Sequence, residues 1–294
     1  MLIERSADGV GVRAPAKVNL FLEVLARRPD GYHDIATLMV AVSLCDRLDF
    51  KEEASGRIEL RCDRPDLSVG PDNLVYRAAE LLRQRLGCRR GARIDLTKRI
   101  PWAAGLAGGS SDAAAALAGL NLLWQLGLSQ TELAALGAEL GSDVAFFFAT
   151  PAAWCTGRGE VVTPVPLGRA LDLVLVCPVV GLATPAVYRG VQVPAQPVDG
   201  GPILRAAAAG DLTELGRHLH NRLQGPAERL CPEVARLHAC LAALQPLGQL
   251  MSGSGSSLFA LCRDRREALR LARELRRLAD EIGRPRVFLV RSCV

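Results

Sequence analysis

The apolar positions in the N-terminal third of the chain follow strand-like patterns in most places and a helical pattern in one stretch. Large apolar and β-branched residues fill Val18–Leu25 and Ile35–Leu44, and shorter polar/apolar alternation marks Arg57–Cys62 and Ala92–Ile100. Between the last two segments, apolar residues recur at the spacing of one helix face over Asn73–Leu86. The pattern therefore predicts four strands and one helix in this part of the chain.

An alanine-rich run and two segments that begin with serine predict helices in the middle of the chain. Ala113–Leu126 is expected to be helical because alanine has the highest helix propensity. Ser129 and Glu132 form the sequence signature of a capping box, which begins a helix that ends near Gly141. Ser142–Phe148 is predicted to be a further short helix, capped by its serine.

The C-terminal half begins with a continuous apolar strand and then changes in composition. Leu171–Cys177 is the strand, and Thr184–Pro202 is predicted to contain a long loop because it is rich in Pro and Gly. The remaining predicted elements are helices at Ile203–Leu223, Glu233–Leu244 and Arg265–Ile282 and a final strand at Arg286–Val290. Strands and helices are mixed without a βαβ repeat, so we predict an α+β protein with two domains, residues 1–160 and 161–294.

Composition and charge argue against several functional classes. Hydrophobic residues make up 49% and charged residues 23% of the 294 residues, as in globular proteins. The net charge of +5 comes from scattered Lys and Arg residues and aromatic residues amount to 4%, so no nucleic-acid partner is expected. No stretch approaches the ~20 apolar residues that span a bilayer and the N-terminus lacks a signal peptide, so we expect a cytoplasmic protein without a membrane partner. Nine cysteines without a C-x-x-C pair are expected to be reduced thiols.

The segment with the most chemical information is Pro101–Asp112, which we call the phosphate loop. It lies between a predicted strand and a predicted helix, and its glycines allow the backbone to approach a ligand closely. Ser110 and Ser111 lie where the helix begins, so hydroxyls, N–H groups and the helix dipole converge on an anion such as a polyphosphate. A hydroxyl at this position also reaches a bound Mg²⁺. A glycine-rich turn with serine caps and no ligand is the alternative, which the strand–loop–helix context disfavours.

The phosphate loop resembles the ATP-phosphate loop of the GHMP kinases, the superfamily of galactokinase, homoserine kinase and mevalonate kinase. Two further segments resemble motifs of this family in the same order, Pro15–Leu20 its first motif and Met251–Phe259 its C-terminal glycine loop. No P-loop, Rossmann or nucleophile-elbow motif is present in the sequence. The resemblance implies ATP and Mg²⁺ as cofactors. It also implies an N-terminal domain like domain 2 of ribosomal protein S5, a ferredoxin-like C-terminal domain, and a site in the cleft between them.

Within the family, the sequence is most similar to the branch that acts on a cytidine diphosphate-linked methylerythritol. The segments that carry this similarity are Ala16–Leu20, Arg28–His33, Gly108–Ala113 and Leu140–Val144. The resemblance implies ATP-dependent phosphorylation of the 2-hydroxyl of 4-diphosphocytidyl-2-C-methyl-D-erythritol, a step toward isoprenoid precursors. The sequence leaves a monomer and a homodimer both open. Two alternatives stay open, a GHMP kinase for another small alcohol and a non-catalytic nucleotide-binding sensor. An RNA-binding role, prompted by the positive charge and the S5-like topology, has no supporting motif.

Lys17 and Asp143 are the candidate catalytic residues. Lys17 interrupts an apolar strand, where an unpaired ammonium is costly, so it needs a partner unless it snorkels to the surface. From local sequence alone, Asp143 is an ordinary residue near a helix start, where the dipole favours an ionised carboxylate. The resemblance implies that Asp143 accepts the proton of the alcohol. It also implies that Lys17 pairs with Asp143 and stabilises the developing alkoxide or the transferred phosphoryl group.

The resemblance further implies which residues bind the two ligands. The residues expected to bind ATP are Asn73, Lys98, Pro101, Ala104, Gly105, Leu106, Ala107, Gly108, Gly109, Ser110 and Ser111. The residues expected to bind the alcohol substrate are Asn19, Tyr32, His33, Thr184, Tyr188, Gly253 and Gly255. Ser111 is also the candidate Mg²⁺ ligand. Asn19 lies two residues after Lys17 and hence on the same strand face, and Tyr32 and His33 follow an Asp-Gly turn that can display their rings to a pyrimidine base.

Two segments depart from the family pattern. Ala103, Ala104 and Ala107 stand where glycines are often found, and because alanine disfavours positive φ, all three are expected to have negative φ. Asn221–Gln224 reads Asn-Arg-Leu-Gln where Asn-Asp-Leu-Glu is usual. Because both acidic residues are lost, no site role is assigned to this segment.

Overall fold

The computed structural model of the chain describes residues 1–6 and 8–293. Its strands are β1 Leu2–Ser6, β2 Gly9–Arg27, β3 His33–Glu53, β4 Ile58–Cys62, β5 Gly91–Thr97, β6 Ala152–Thr156, β7 Val161–Pro164, β8 Asp172–Cys177, β9 His220–Asn221, β10 Gly248–Met251, β11 Leu258–Cys262 and β12 Arg286–Arg291. Its helices are α1 Leu74–Leu86, α2 Gly108–Leu123, α3 Gln130–Leu140, α4 Thr184–Arg189, α5 Gly201–Ala209, α6 Leu212–Arg217, α7 Gln224–Leu230, α8 Pro232–Ala243 and α9 Arg265–Arg277, with a 3₁₀ turn at Ala145–Phe148. The α+β class is confirmed, and every predicted strand overlaps an observed one.

The chain forms two compact units, and β2 and β3 contribute residues to both. The first unit comprises Met1–Ala16, Leu44–Ile100 and Ala107–Thr150. The second unit comprises Lys17–Ser43, Pro101–Leu106 and Pro151–Val294. In the first unit, β1 pairs antiparallel with β2, and β5 pairs antiparallel with β3 and parallel with β4.

Helix α2 is the central element of the first unit. Every residue from Ser111 to Asn121 is buried, and α1 and α3 pack against the helix. Small side chains allow this close packing, since a Cβ atom at Gly119 would lie 2.5 Å from the ring of Phe50. The helix begins at Gly108, ahead of the predicted start at Ala113, so both serines of the phosphate loop lie in its first turn.

Of the two helix caps predicted from the sequence in the first unit, one is present. Ser129 and Glu132 form the predicted capping box at the start of α3, with each side chain bonded to the backbone of the other residue. Ser142 was expected to cap a short helix through Phe148, and the expected cap is wrong. The segment forms only a 3₁₀ turn without a side-chain cap. All four residues of this turn are buried, so the packing of its phenylalanines replaces capping as the stabilising interaction.

The second unit is built on a four-stranded antiparallel sheet in the order β10-β11-β8-β12. Helices α8 and α9 contribute leucines and alanines to the hydrophobic core that covers this sheet. The arrangement agrees with the ferredoxin-like expectation for the C-terminal part of the chain. The hairpin of β6 and β7 pairs with β3, and the two-residue strand β9 pairs parallel with β2.

Three predicted elements of the second unit differ from the structure. The helix expected over Ile203–Leu223 is divided into α5, α6 and β9, because Gly210 adopts φ 69° as a C-cap and Asp211 caps the next helix. The stretch expected to be a long loop contains the short helix α4, which has Pro185 in its first turn. Helix α9 ends at Arg277, before the predicted Ile282. Across residues 1–6 and 8–293, no helix is both long and apolar enough to cross a membrane.

Candidate functional site

The ammonium of Lys17 is buried in the second unit and bound to two oxygen atoms. The residue is 3% exposed, and its Nζ donates to Asn19 Oδ1 at 2.6 Å and to the Gly105 carbonyl oxygen at 3.0 Å. Its backbone N–H donates to the Leu106 carbonyl oxygen at 3.1 Å. These bonds exclude the alternative that Lys17 extends its ammonium to the surface. The expectation that Asn19 and Lys17 lie on the same strand face is confirmed. The predicted pairing of Lys17 with Asp143 stays a prediction.

Asn19 is held in one orientation by its neighbours. The residue is 1% exposed, its Nδ2 donates to Thr37 Oγ1 at 2.8 Å, and its backbone N–H donates to Ser252 Oγ at 3.3 Å. Thr37 in turn donates to the Phe21 carbonyl oxygen at 2.6 Å. These bonds direct the amide oxygen of Asn19 toward Lys17. Thr37 and Ser252 were not predicted, although a threonine within the apolar run of β3 was a detectable signal.

The two glycine-containing loops of the second unit approach each other so closely that side chains are excluded. Gly105 has φ 75°, and a Cβ atom there would lie 2.1 Å from the Ser252 carbonyl oxygen. Gly253 has φ 56°, and a Cβ atom there would lie 3.1 Å from both the Gly105 carbonyl oxygen and Lys17 Nζ. Gly255 has φ 88°. Ser252 joins the loops by donating from Oγ to the Gly105 carbonyl oxygen at 3.0 Å. Space and backbone conformation together therefore require glycine at position 105, and the positive φ values favour glycine at positions 253 and 255.

Two alanines of the phosphate loop adopt the left-handed conformation. Ala103 has φ 52° and Ala107 has φ 53°, so the expectation of negative φ is wrong for both residues and holds only for Ala104. A left-handed alanine costs about 1–2 kcal/mol. Backbone bonds offset this strain: the Ala107 carbonyl oxygen accepts from Ser111 N at 2.9 Å, and the Ala103 carbonyl oxygen accepts from Leu182 N at 3.4 Å. Closing the first turn of α2 thus takes precedence over the local preference of alanine.

Ser111 supplies a buried hydroxyl in the first turn of α2. The residue is 0% exposed, and its Oγ has no hydrogen-bond partner among the described protein atoms. Asp112 Oδ1 is likewise buried without a partner there. Buried polar atoms are rarely left unpaired, so these oxygens are suited to an external donor or cation. Ser110 lies half-buried beside them, and Gly108 and Gly109 open the same turn.

Lys98, Asp46 and Asp112 form a buried ion cluster in the first unit. Their side chains are 6%, 0% and 4% exposed, and Lys98 Nζ contacts Asp46 Oδ2 and lies 2.6 Å from Asp112 Oδ2. Asp46 Oδ1 also accepts from the backbone N–H of Ile100 at 2.8 Å. Burial alone would lower the pKa of Lys98, but the charges of Asp112 and Asp46 outweigh it and raise the pKa. Burial raises the pKa of Asp112, against the lowering effect of Lys98.

The ion cluster changes how Lys98 is understood. Two donor positions of its ammonium are directed at Asp46 and Asp112, so the side chain holds the end of β5 against the start of α2. Its predicted place near the adenine stays a prediction. Asn73 likewise has a structural task, since its Oδ1 accepts from Val75 N at 2.9 Å and caps α1. Asp143 is half-buried just before the 3₁₀ turn.

Aromatic rings gather at the turn after β2. The rings of His33 and Tyr188 have centroids 5.2 Å apart, and the guanidinium of Arg158 lies 5.0 Å from the centroid of Tyr32. Tyr32 is 55% exposed, so much of its ring is open to a ligand. Burial, with a smaller effect of the Arg27 charge, lowers the pKa of His33, which keeps the imidazole neutral at pH 7.

The structure thus brings together the predicted residues Lys17, Asn19, Gly105 and Gly253, and separately His33 and Tyr188. Thr184 Oγ1 lies 2.8 Å from Ser254 Oγ, and Ser254 belongs to the same C-terminal glycine loop as Gly253. In the described part of the chain, no three His, Cys, Asp or Glu side chains form a group that could hold a metal ion.

Comparison with known proteins identifies two matching family models. The model of the GHMP kinases N terminal domain matches residues 73–150, and that of the GHMP kinases C terminal matches residues 203–281. A Symbiobacterium thermophilum protein named 4-diphosphocytidyl-2-C-methyl-D-erythritol kinase is 46% identical over 274 residues, covering 92% of this chain and 96% of that protein. The Shouchella clausii protein of the same name is 42% identical over 272 residues, covering 92% of each.

Solved structures agree with these matches. The crystal structure of 4-(cytidine 5'-diphospho)-2C-methyl-D-erythritol kinase has a TM-score of 0.79 and 38% identity, covering 97% of this chain and 100% of that chain. Homoserine kinase from Cytophaga hutchinsonii also has a TM-score of 0.79, at 19% identity, covering 100% of this chain and 97% of that chain. The second likeness is one of fold alone.

Proposed function

This chain belongs to the GHMP kinases, and we propose that it transfers the γ-phosphoryl group of ATP to the 2-hydroxyl of 4-diphosphocytidyl-2-C-methyl-D-erythritol. Relatives that carry the name of this activity are 42% and 46% identical over most of their length. The domains of the proposed enzyme are residues 1–160, which bind ATP, and residues 161–294. It acts in the cytoplasm as a monomer or homodimer, on a small molecule rather than on nucleic acid or a membrane.

The buried ammonium of Lys17 carries this proposal. Phosphoryl transfer needs alignment of the reactants and stabilisation of negative charge, more than covalent chemistry by the protein. Lys17 is fixed by Asn19 and by the Gly105 carbonyl oxygen, and it is excluded from water. A pre-positioned cation in such a place acts strongly on charge that develops during the reaction. We assign Lys17 to the acceptor oxygen and the transferred phosphoryl group.

Asp143 is the proposed general base. As the 2-hydroxyl oxygen forms its bond to the γ-phosphorus, the bond from that phosphorus to the β–γ bridging oxygen breaks. The hydroxyl proton passes to the carboxylate of Asp143, and ADP leaves with the electron pair of the broken bond. Asn19, whose amide orientation is fixed by Thr37, orients the acceptor together with the backbone at Gly253 and Gly255.

The first turn of α2 is the proposed site for the ATP phosphates. Backbone N–H groups at Gly108, Gly109 and Ser110 face no intrahelical acceptor, and the helix dipole favours an anion there. The unpaired hydroxyl of Ser111 fits a Mg²⁺ ion, which prefers oxygen ligands and takes most of them from phosphates and water. When bound, Mg²⁺ would neutralise charge on the β- and γ-phosphate oxygens. The adenine contacts are assigned to Asn73 and Lys98, and the rest of the phosphate loop to the polyphosphate.

The cytosine of the substrate is assigned to the aromatic group after β2. Tyr32 offers an exposed ring face for stacking, with Arg158 against the ring. The neutral imidazole of His33, placed against Tyr188, offers one hydrogen-bond donor and one acceptor to a pyrimidine edge. Thr184 contributes from the start of α4.

The test is ADP release with ATP, Mg²⁺ and the proposed substrate, with the phosphorylated position read by ³¹P NMR. Asp143→Asn and Lys17→Met are expected to lower kcat by about a hundredfold or more. The matched controls are Asp280→Asn and Lys51→Met, since the Asp280 side chain is 80% exposed and Lys51 lies exposed in β3. Transfer to a different alcohol would reject the substrate, and ATP binding without turnover would favour a sensor. An Asp143→Asn variant with native kcat would reject the assigned base.

A further inference from the structure

Asn221 has a buried side-chain amide whose hydrogen bonds are all made with backbone atoms. The residue is 7% exposed, and its Nδ2 donates to the Met251 carbonyl oxygen at 2.7 Å and to the Gly253 carbonyl oxygen at 2.8 Å. Its Oδ1 accepts from Leu223 N at 2.9 Å. Both N–H donors are therefore used to hold the entry of the C-terminal glycine loop, residues 251–259.

The position of Asn221 is itself fixed to the strand that carries Lys17. Strand β9 pairs parallel with β2, with Asn221 opposite Leu22, and Arg222 N donates to the Leu22 carbonyl oxygen at 2.9 Å. The Arg222 guanidinium binds both carboxylate oxygens of Glu23, at 2.7 Å each, and the Glu23 side chain is 0% exposed. Arg222, which stands where the family pattern has an aspartate, thus anchors β9 to β2.

A short chain of contacts leads from the Asn221 amide to the ammonium. Between the two carbonyls that Asn221 binds lies Ser252, whose Oγ accepts from Asn19 N at 3.3 Å and donates to the Gly105 carbonyl oxygen at 3.0 Å. That same carbonyl oxygen accepts from Lys17 Nζ at 3.0 Å. Gly253 packs so near that an added Cβ would lie 3.1 Å from Lys17 Nζ. Movement of the loop therefore displaces the groups that fix Lys17.

We propose that Asn221 is a positioning residue for phosphoryl transfer, acting on Lys17 through the backbone of the glycine loop. Gln224 assists it, since its Oε1 accepts from Met251 N at 3.0 Å. The effect on turnover rests on the proposed function, whereas the effect on the loop does not.

The test is Asn221→Asp, which keeps the shape of the side chain but replaces two N–H donors with an oxygen facing two carbonyls. A displacement near 1 Å in an active site lowers turnover on the order of a hundredfold, and we expect kcat to fall by about that factor. The KM for ATP is expected to stay native. The matched control is Asn121→Asp, because Asn121 is 9% exposed and binds the backbone N–H and carbonyl of Leu128, at 3.0 Å each. It is expected to lose stability and to keep kcat.

Hydrogen exchange supplies a measurement that is independent of turnover. The amides of residues 251–257 are expected to exchange on the order of tenfold faster in Asn221→Asp, while those of β8 stay at the native rate. Asn221→Ser, which lacks the carboxylate, is the second variant if Asn221→Asp does not fold. If the amides of residues 251–257 exchange at the native rate in a folded variant, the proposal is overturned.

A double variant separates positioning from general destabilisation. In a Lys17→Met background, Asn221→Asp is expected to lower kcat by less than about twofold more, since the ammonium it positions is gone. If Asn221→Asp lowers kcat in the Lys17→Met background by as much as it does in the native chain, the proposed route through Lys17 is overturned. If the native chain does not phosphorylate the substrate, the proposed function fails, and loop exchange alone decides whether Asn221 holds the loop.

Discussion

Removing the ammonium of the buried ion cluster is expected to destabilise the first unit. Lys98→Met keeps the length and apolar stem of the side chain but leaves Asp46 and Asp112 facing each other without a cation. Both carboxylates are buried, at 0% and 4% exposure, and Lys98 itself is 6% exposed, so water does not replace the lost charge. Breaking a buried pair by removing one partner costs about 3–5 kcal/mol. We expect a loss of this size in the free energy of unfolding.

Urea unfolding of the native chain, Lys98→Met and the control Lys51→Met measures this loss. Lys51 lies exposed in β3, and its substitution is expected to change the free energy of unfolding by less than about 0.5 kcal/mol. Adding Asp112→Asn to Lys98→Met removes one of the two facing carboxylates and is expected to restore part of the stability. The reasoning is refuted if Lys98→Met has the same midpoint urea concentration of unfolding as the native chain while its KM for ATP rises many-fold. That result would mean that contact with the nucleotide is the main role of Lys98 and that its ion pairs add little to stability.

Two further predictions concern the second unit. Gly105→Ala is expected to lower stability and turnover together, because the added Cβ would lie 2.1 Å from the Ser252 carbonyl oxygen and φ 75° alone costs alanine about 1–2 kcal/mol. Thermal unfolding and ADP release test this, and native values in both would contradict it. Burial alone would raise the pKa of Glu23, but hydrogen bonds from Arg222 and the backbone lower the pKa to about 2 from the ordinary 4.5. The ionised Glu23 therefore stabilises the fold fully above pH 4.5, and this stabilisation is lost as the pH falls toward 2. Arg222→Gln is expected to move the onset of acid unfolding to higher pH, and urea titrations across that range that match the native chain would contradict this.

The sequence by itself determined the features that depend on near neighbours along the chain. The strand patterns and the capping box of Ser129 and Glu132 involve residues within about four positions of one another, which local composition encodes. The shared face of Lys17 and Asn19 followed from the two-residue period of a strand. The motifs also sufficed for the family, because three of them occur in order along nearly the whole chain.

Only the tertiary structure decided which distant groups meet. Lys17 bonds to a carbonyl 88 positions away, and Asn19 to a serine 233 positions away, and no periodicity encodes such partners. The left-handed φ of Ala103 and Ala107 reverses the local preference because backbone bonds of the folded loop outweigh it. The sequence assigns no site role to Asn221, because the two acidic residues expected after it are absent, yet its amide reaches the glycine loop because β9 pairs with β2. Local energies act between near neighbours, whereas pairing and burial are set by the whole folded chain, and most of the contacts that fix the candidate site are of the second kind.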